Sequence, residues 1–441
     1  MSIVPKVAAS LAGAAATFFM ATQTVLADDA PAPGWTNFYI GGFVGGGAVN
    51  NNLDVLGGLF EFDGIGGQGF VGGGFVGFNY QISPQFVLGI QGELGVSDLE
   101  TNISTPILGG ISLEAAPQFN AALSGRAGWL ANPNALVYII GGYSYAEYET
   151  KINLPRLGSI KFDENYHGFH IGAGIEARIT ESLTARIEYR YTEYQDEDWG
   201  TGGAVEVEPS SHTGTLGVAW NFYTPELNGG TVISPTADMI TSNDTSETAD
   251  WTGPYVGAFI GGGAAVNDLD VLGGLLEFDG VGGEGFVGGG FAGFNYQVGP
   301  SFVVGVQAEI GVADLQTDIS TPILGGISLE AAPDFNVALS GRFGWLADPE
   351  TLLYIIGGYS YAEYETEINF GAGSVKFDEE YDGFHVGAGI EARITDSLTA
   401  RVEYRYTKYG EEDWGTGGAV EVEPASHTGT IGIAWNFFGL L

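Results

Sequence analysis

The stretch SLTARIEYRYTEY, Ser182–Tyr194, restricts what this chain can fold into more than any other. In an extended strand, neighbouring side chains point to opposite faces. Thr184, Arg186, Glu188, Arg190 and Thr192 then share one face; Leu183, Ala185, Ile187, Tyr189 and Tyr191 share the other. A helix would scatter both sets around its circumference. One face is therefore ionic and the other wholly apolar. The ionic face needs water or paired charges, and the apolar face needs a protein core or lipid. The pattern returns as SLTARVEYRYTKY at Ser397–Tyr409.

That return is part of a duplication. YIIGGYSYAEYET occurs unchanged at Tyr138–Thr150 and Tyr354–Thr366, and STPILGGISLEAAP at Ser104–Pro117 and Ser320–Pro333. The offset is 216 residues (Trp35 to Trp251), falling to 215 (Asp198 to Asp413) after a one-residue deletion in the loop beyond Asn369. A unit this long is a whole domain rather than a solenoid or propeller repeat. The polar, unrepeated segment 224–250 reads as a linker. The expected organisation is a signal peptide at 1–27, repeat 1 at 28–223, a linker at 224–250 and repeat 2 at 251–441.

The signal peptide rests on Lys6, the apolar run Val7–Phe19 and the small-residue cleavage site Val25-Leu26-Ala27. A membrane-spanning helix needs roughly 20 apolar residues, and no later segment supplies them. Without cysteine, a disulfide scaffold and Cys-based metal or redox sites are excluded. With 54 acids against 14 Lys+Arg, nucleic acid is excluded as a partner. The 73 glycines and 13% aromatic content point to an all-β protein with a narrow interior.

Copy one divides into eight strand-like segments: Asn37–Val49, Gly69–Gln81, Phe86–Leu99, Ala116–Leu130, Leu136–Lys151, Tyr166–Thr180, Leu183–Tyr194 and His212–Tyr223. Short turns (ISPQ, ANPNA, TES) alternate with long connections (NNNLDVLGGLFEFDGIGG, ETNISTPILGGISLEA, INLPRLGSIKFDEN, QDEDWGTGGAVEVEPSS). An even strand count with short turns at one end and long loops at the other is the pattern of an outer-membrane barrel. The fold expected is a transmembrane antiparallel up-and-down β-barrel, as two tandem eight-stranded barrels (28–223 and 251–441) joined by a periplasmic linker (224–250), or one merged sixteen-stranded barrel.

Four of copy one's five arginines, Arg126, Arg178, Arg186 and Arg190, fall on one side of their strands, and Arg342, Arg393, Arg401 and Arg405 repeat those places. An arginine facing lipid at mid-membrane costs roughly 2–4 kcal/mol. The polar side should therefore be the lumen, where Glu93, Glu176 and Glu188, and in copy two Glu391 and Glu403, neutralise the guanidinium groups. Eight strands leave an interior only wide enough to be filled by side chains, so these ions should form a paired plug. Aromatics should mark the membrane edges: Trp35, Tyr80, Phe86, Trp129, Trp220 and Phe222 at the short-turn end, and Tyr143, Tyr145, Tyr189 and Tyr191 toward the long loops.

The opening WTGPYVGA at Trp251–Ala258 and the closing TLGVAWNF and TIGIAWNF resemble the small surface-antigen barrels of alphaproteobacteria, the outer-membrane immunogenic or porin-family proteins. The resemblance runs nearly end to end in each copy. It implies an eight-stranded outer-membrane barrel in contact with membrane lipid and lipopolysaccharide and inserted by the barrel-assembly machinery. The insertion signal of that class is matched by Gly217, Trp220 and Phe222, and by Gly432, Trp435 and Phe437. The chain departs from the family in carrying two copies and in continuing past Phe438 as Gly-Leu-Leu.

No catalytic constellation stands out, so no enzymatic activity and no cofactor are expected. His170 and His385 read as satisfied interior polar groups, and His212 and His427 as loop-edge residues. The acidic runs EFDG (Glu61–Gly64), KFDEN (Lys161–Asn165) and YQDEDWG (Tyr194–Gly200) suggest weak divalent-cation binding. Three functions remain open from sequence: a structural surface barrel with closed lumens, an anion-favouring pore from a merged barrel, and an adhesin or receptor acting through its loops.

Overall fold

A computed structural model describes residues 34–55, 60–105, 110–154, 158–199, 205–223, 250–271, 276–321, 327–369, 373–414 and 420–437. The expected signal peptide, most of the expected linker and the Gly-Leu-Leu end lie outside them. Every regular element described is a β-strand, and every pairing is antiparallel.

The first barrel comprises β1 (Asn37–Val55), β2 (Phe60–Gln81), β3 (Phe86–Ser97), β4 (Thr101–Thr105), β5 (Ile111–Asn132), β6 (Ala135–Leu154), β7 (Gly158–Arg178), β8 (Leu183–Tyr194), β9 (Glu197–Trp199) and β10 (Val205–Tyr223). β3 and β4 both pair with β5, and β8 and β9 both pair with β10, so each couple is one interrupted strand. Eight strands result, closed by β1 pairing with β10. The second barrel runs through β11 (Gly253–Val271), β12 (Leu276–Val298), β13 (Phe302–Thr321), β14 (Ile327–Asp348), β15 (Thr351–Asn369), β16 (Ser374–Arg393), β17 (Leu398–Tyr409), β18 (Glu412–Trp414) and β19 (Val420–Asn436). It closes on itself through β11 and β19. The two copies are thus separate barrels and not one merged sixteen-stranded barrel.

The strands run further than the sequence suggests. β6 reaches Leu154 and β7 begins at Gly158, so most of the connection INLPRLGSIKFDEN is hairpin. The ladder satisfies the backbone N–H and C=O groups there without a buried face, and cross-strand ion pairs such as Lys161–Glu149 at 2.8 Å add to it.

Outward side chains such as Ile90, Leu94, Leu123, Ile139, Phe169 and Ile171 are all at least 60% exposed. On a barrel this continuous apolar band is a lipid-facing wall. Tyr80, Phe86, Trp220 and Phe222 stand exposed at its short-turn edge, where the expected aromatic girdle belongs. Two members of that expected set are elsewhere. Trp35 is buried inside the lumen mouth, and Trp129 packs, partly buried, against the cluster that the two barrels share.

The outward face of β8 also departs from expectation. Ala185 and Ile187 are buried, in one cluster with Ala131, Ala135, Ile175 and Ala177 of the first barrel and Leu353, Ile390, Ala392 and Val402 of the second. The aliphatic side chains of this strand meet a second barrel rather than acyl chains. Beyond the band the barrels join by backbone pairing. Ile65 bridges Val281, its own repeat equivalent. Asn102–Ser104 pairs with Glu277–Asp279, and Glu61–Asp63 with Asp318–Ser320, which exchanges the same two segments. The seam is therefore isologous about a pseudo-two-fold axis.

Candidate functional site

Alternation along β3, β5, β7 and β8 directs the ionic side chains of the first barrel to one axis. Glu93, Arg126, Glu176, Arg178, Arg186, Glu188 and Arg190 all lie inside, as do Glu391, Arg342, Arg393, Arg401, Glu403 and Arg405 in the second.

The network has three levels. At the short-turn end Arg178 stacks 4.5 Å over the Trp35 ring, a cation–π contact. Trp35 donates its indole N–H to Pro133 O at 3.1 Å and its backbone N–H to Gln81 Oε1 at 2.9 Å. In the middle, Arg126 donates to Glu176 at 2.8 Å and to the Tyr39 hydroxyl at 2.9 Å. Thr184 donates to the other Glu176 oxygen at 2.7 Å, Tyr138 to Glu188 at 2.9 Å, and Arg186 to Gln91 at 2.7 Å. Above them Arg190 forks onto both oxygens of Glu93 at 3.0 and 3.1 Å and reaches Glu188 at 2.6 Å. Bidentate pairs of this kind are among the stronger charge-assisted bonds. Three arginines thus face three glutamates in the interior, and Arg178 is held by an aromatic ring at the mouth.

The second lumen repeats the pattern. Arg342 meets Glu391 at 2.6 Å and Tyr255 at 3.1 Å, and Arg405 bridges Glu309 and Glu403. Glu309 is a member that the sequence reading passed over, although Glu93 plus the repeat offset names it. The neutral partners Tyr39 and Tyr138 were missed as well; Tyr138 lies opposite Gly128, two residues from Arg126 on the neighbouring strand, whereas Tyr39 has no arginine on either strand beside it.

Above the ions, Tyr148, Tyr166 and Tyr194 meet edge-to-face, with ring centroids 5.0 to 6.3 Å apart, and cover the lumen. Tyr364, Tyr381 and Tyr409 do the same in the second barrel. Between ions and lid, bounded by Glu93, Asn120, Ser144 and Arg190, is a cavity of about 60 Å³, room for a few waters. His170 is held by Ser124 and Ser144 at 2.9 and 2.8 Å, one hydroxyl on each ring nitrogen. His385 is held likewise by Ser340 and Ser360. Neither ring has a nitrogen left to bind a metal.

His212 and His427 are not at a loop edge but within strands, in the seam between barrels, together with Tyr189 and Tyr404. The acidic hairpins point away from the band. Among the described residues no three His, Asp or Glu side chains converge as a metal set. The side chains of 61–63 and 197–200 lie outside that description. Gly217 and Gly432 face the lumens beside Arg186 and Arg401, while Trp220, Phe222, Trp435 and Phe437 are exposed on the outer wall.

The family model for the outer membrane protein beta-barrel domain matches this chain twice, at residues 10–222 and 239–437. A 22 kDa outer membrane protein of Rhizobium leguminosarum bv. viciae is 32% identical over 169 residues, covering 38% of this chain and 69% of that one. A 25 kDa outer-membrane immunogenic protein of Brucella canis is 29% identical over 206 residues, covering 45% and 87%. Among solved structures, the N-terminal β-barrel domain of Pseudomonas aeruginosa OprF aligns at 13% identity and TM-score 0.24, covering 43% of this chain and 99% of that one.

Proposed function

Since the chain belongs to the outer membrane protein β-barrel family, we propose that it is a closed-lumen tandem barrel of the outer membrane that contributes to envelope integrity and surface interaction, without conducting solutes and without catalysis. The observation that carries this reading is the filled interior. Each lumen is crossed by an arginine–glutamate network, stoppered by Trp35 or Trp251 at the periplasmic end and lidded by three tyrosines outside, and the cavity beneath each lid measures about 60 Å³. A diffusion pore needs a continuous wet path, and eight strands give none once side chains fill the bore.

The remaining parts of the reading follow from position. The apolar band contacts lipid and, in the outer leaflet, lipopolysaccharide acyl chains. The last-strand positions Gly217, Trp220 and Phe222, with Gly432, Trp435 and Phe437, serve recognition by the barrel-assembly machinery. The acidic hairpins bind divalent cations weakly; calorimetry without calcium or magnesium heat removes that part. The test of the whole is single-channel recording in planar bilayers. The expected record is flat, and large steady openings would end the closed-lumen reading.

A further inference from the structure

The seam between the barrels holds two contacts related by the pseudo-two-fold axis, and they have diverged from each other. In the first, Glu284 of the second barrel reaches into the first. Its carboxylate accepts from the Ser210 hydroxyl at 2.5 Å, the Tyr191 hydroxyl at 3.2 Å and the His212 Nε2–H at 3.0 Å. Because the Glu284 carboxylate can only accept, His212 carries its hydrogen on Nε2, and Nδ1 accepts from the Tyr189 hydroxyl at 2.5 Å. At the equivalent contact, Gln68 of the first barrel takes the place of Glu284 and Ala425 the place of Ser210. There His427 Nε2 meets Gln68 Oε1 at 3.1 Å, and Tyr404 donates to His427 at 2.6 Å. The carboxylate thus occurs where the extra hydroxyl occurs, and the amide where it is absent. These residues are far apart in sequence and touch only across the seam.

We propose that Glu284, with Ser210, Tyr191 and His212, forms a clamp that locks the two barrels of one chain into a single unit. Half-buried, a carboxylate loses water, and three donors restore its bonds only while the barrels stay together. Around it the walls already fit closely. The Tyr189 ring covers Gly429 and the Tyr404 ring covers Gly214, each within 2.0 Å of where a Cβ would stand. The inference is independent of whether the lumens conduct.

The test uses the full chain with a protease site placed between Tyr223 and Asp250, folded in detergent micelles and then cut. Size exclusion across a dilution series reports whether the halves stay together, and the gel shift on heating reports whether each half is folded. Wild-type halves are expected to co-elute. Ser210→Ala with Glu284→Gln, which rebuilds the first contact as a copy of the second, should weaken association by at least about tenfold. Gln68→Glu with Ala425→Ser, the converse, should tighten it. Wild-type halves that separate freely overturn the inference. So does an S210A/E284Q chain that holds as tightly as wild type, or a Q68E/A425S chain that holds no tighter.

Discussion

Replacing Glu176 by Leu tests the lumen network at the most buried ion pair of the first barrel. Arg126 and Glu176 side chains are each 2% exposed and 2.8 Å apart. The substitution leaves Arg126 with the Tyr39 hydroxyl and the Tyr138 ring, 4.0 Å from its guanidinium carbon, but no carboxylate in direct contact. At a charge separation of about 4 Å and an effective dielectric of about 20, the lost attraction is about 4 kcal/mol. Half-broken buried pairs cost about 3–5 kcal/mol. Thr184 loses its acceptor on Glu176, about 1 kcal/mol more. The expected loss is therefore about 4–6 kcal/mol, confined to the first barrel. The second barrel keeps Arg342–Glu391 at 2.6 Å and serves as an internal control.

The assay is denaturant unfolding in detergent of the chain cut between its barrels, with each half followed on a gel by its heat-modifiable shift. The first half should unfold earlier in E176L while the second is unchanged. Arg126→Met with Glu176→Leu should recover to within about 1.5 kcal/mol of wild type, because a well-filled apolar substitute spares both desolvation costs. An E176L first barrel as stable as wild type, or a double variant no better than the single, would refute the argument that pairing holds this interior together.

Three further outcomes follow from other parts of the molecule. Trp35→Ala should destabilise the first barrel by about 3–5 kcal/mol, because it empties the lumen mouth beneath Arg178; a loss under about 1 kcal/mol by the same gel assay would place Trp35 outside, in the girdle. Gly214→Leu should part the cut halves on size exclusion while each remains heat-modifiable, since any Cβ there meets the Tyr404 ring; Tyr404→Ala in the same chain should restore pairing. On the exposed hairpin, Lys161 foremost and Lys151 next hold the Glu149 carboxyl below its ordinary range. A depressed carboxyl contributes stability above its unfolded value and loses it as pH falls through the lowered one. Carbon-detected titration should show that lowering, Lys161→Ala should reduce it, and salt should screen it because the pair is exposed.

What was legible in the sequence is what a two-residue period encodes. Arg186, Glu188 and Arg190 alternate with Ala185, Ile187 and Tyr189, and a lipid-facing arginine is too costly, so the inside of each barrel could be assigned without coordinates. The length of the hairpins was less legible, because a solvated ladder such as Gly158–Asn165 needs no apolar face to mark it. Trp35 was misplaced for a related reason. An aromatic at a strand end suits an interface girdle and a lumen stopper equally, and the choice depends on Arg178, which lies over a hundred residues away. The seam was hidden more completely. Lipid tails are as apolar as leucine, so an outward Ile187 reads the same against an acyl chain as against Val402. Its trace lay in size rather than polarity: Ala131, Ala135, Ala177 and Ala185 are all small where walls approach closely.

The seam also bears on what a fused pair can do that a pair of separate identical barrels cannot. In an isologous homodimer every substitution appears at both symmetry-related contacts, so a carboxylate added at position 68 would stand opposite residue 212 twice. Here Gln68 and Glu284 occupy those two places independently, each facing a different set of donors. Such divergence holds its value only if the neighbour is always the other copy. Joining the barrels in one chain makes their encounter intramolecular and raises their effective concentration far above that of free partners in the membrane. Covalent linkage thus supplies the condition under which a one-sided clamp at Glu284 stabilises every molecule.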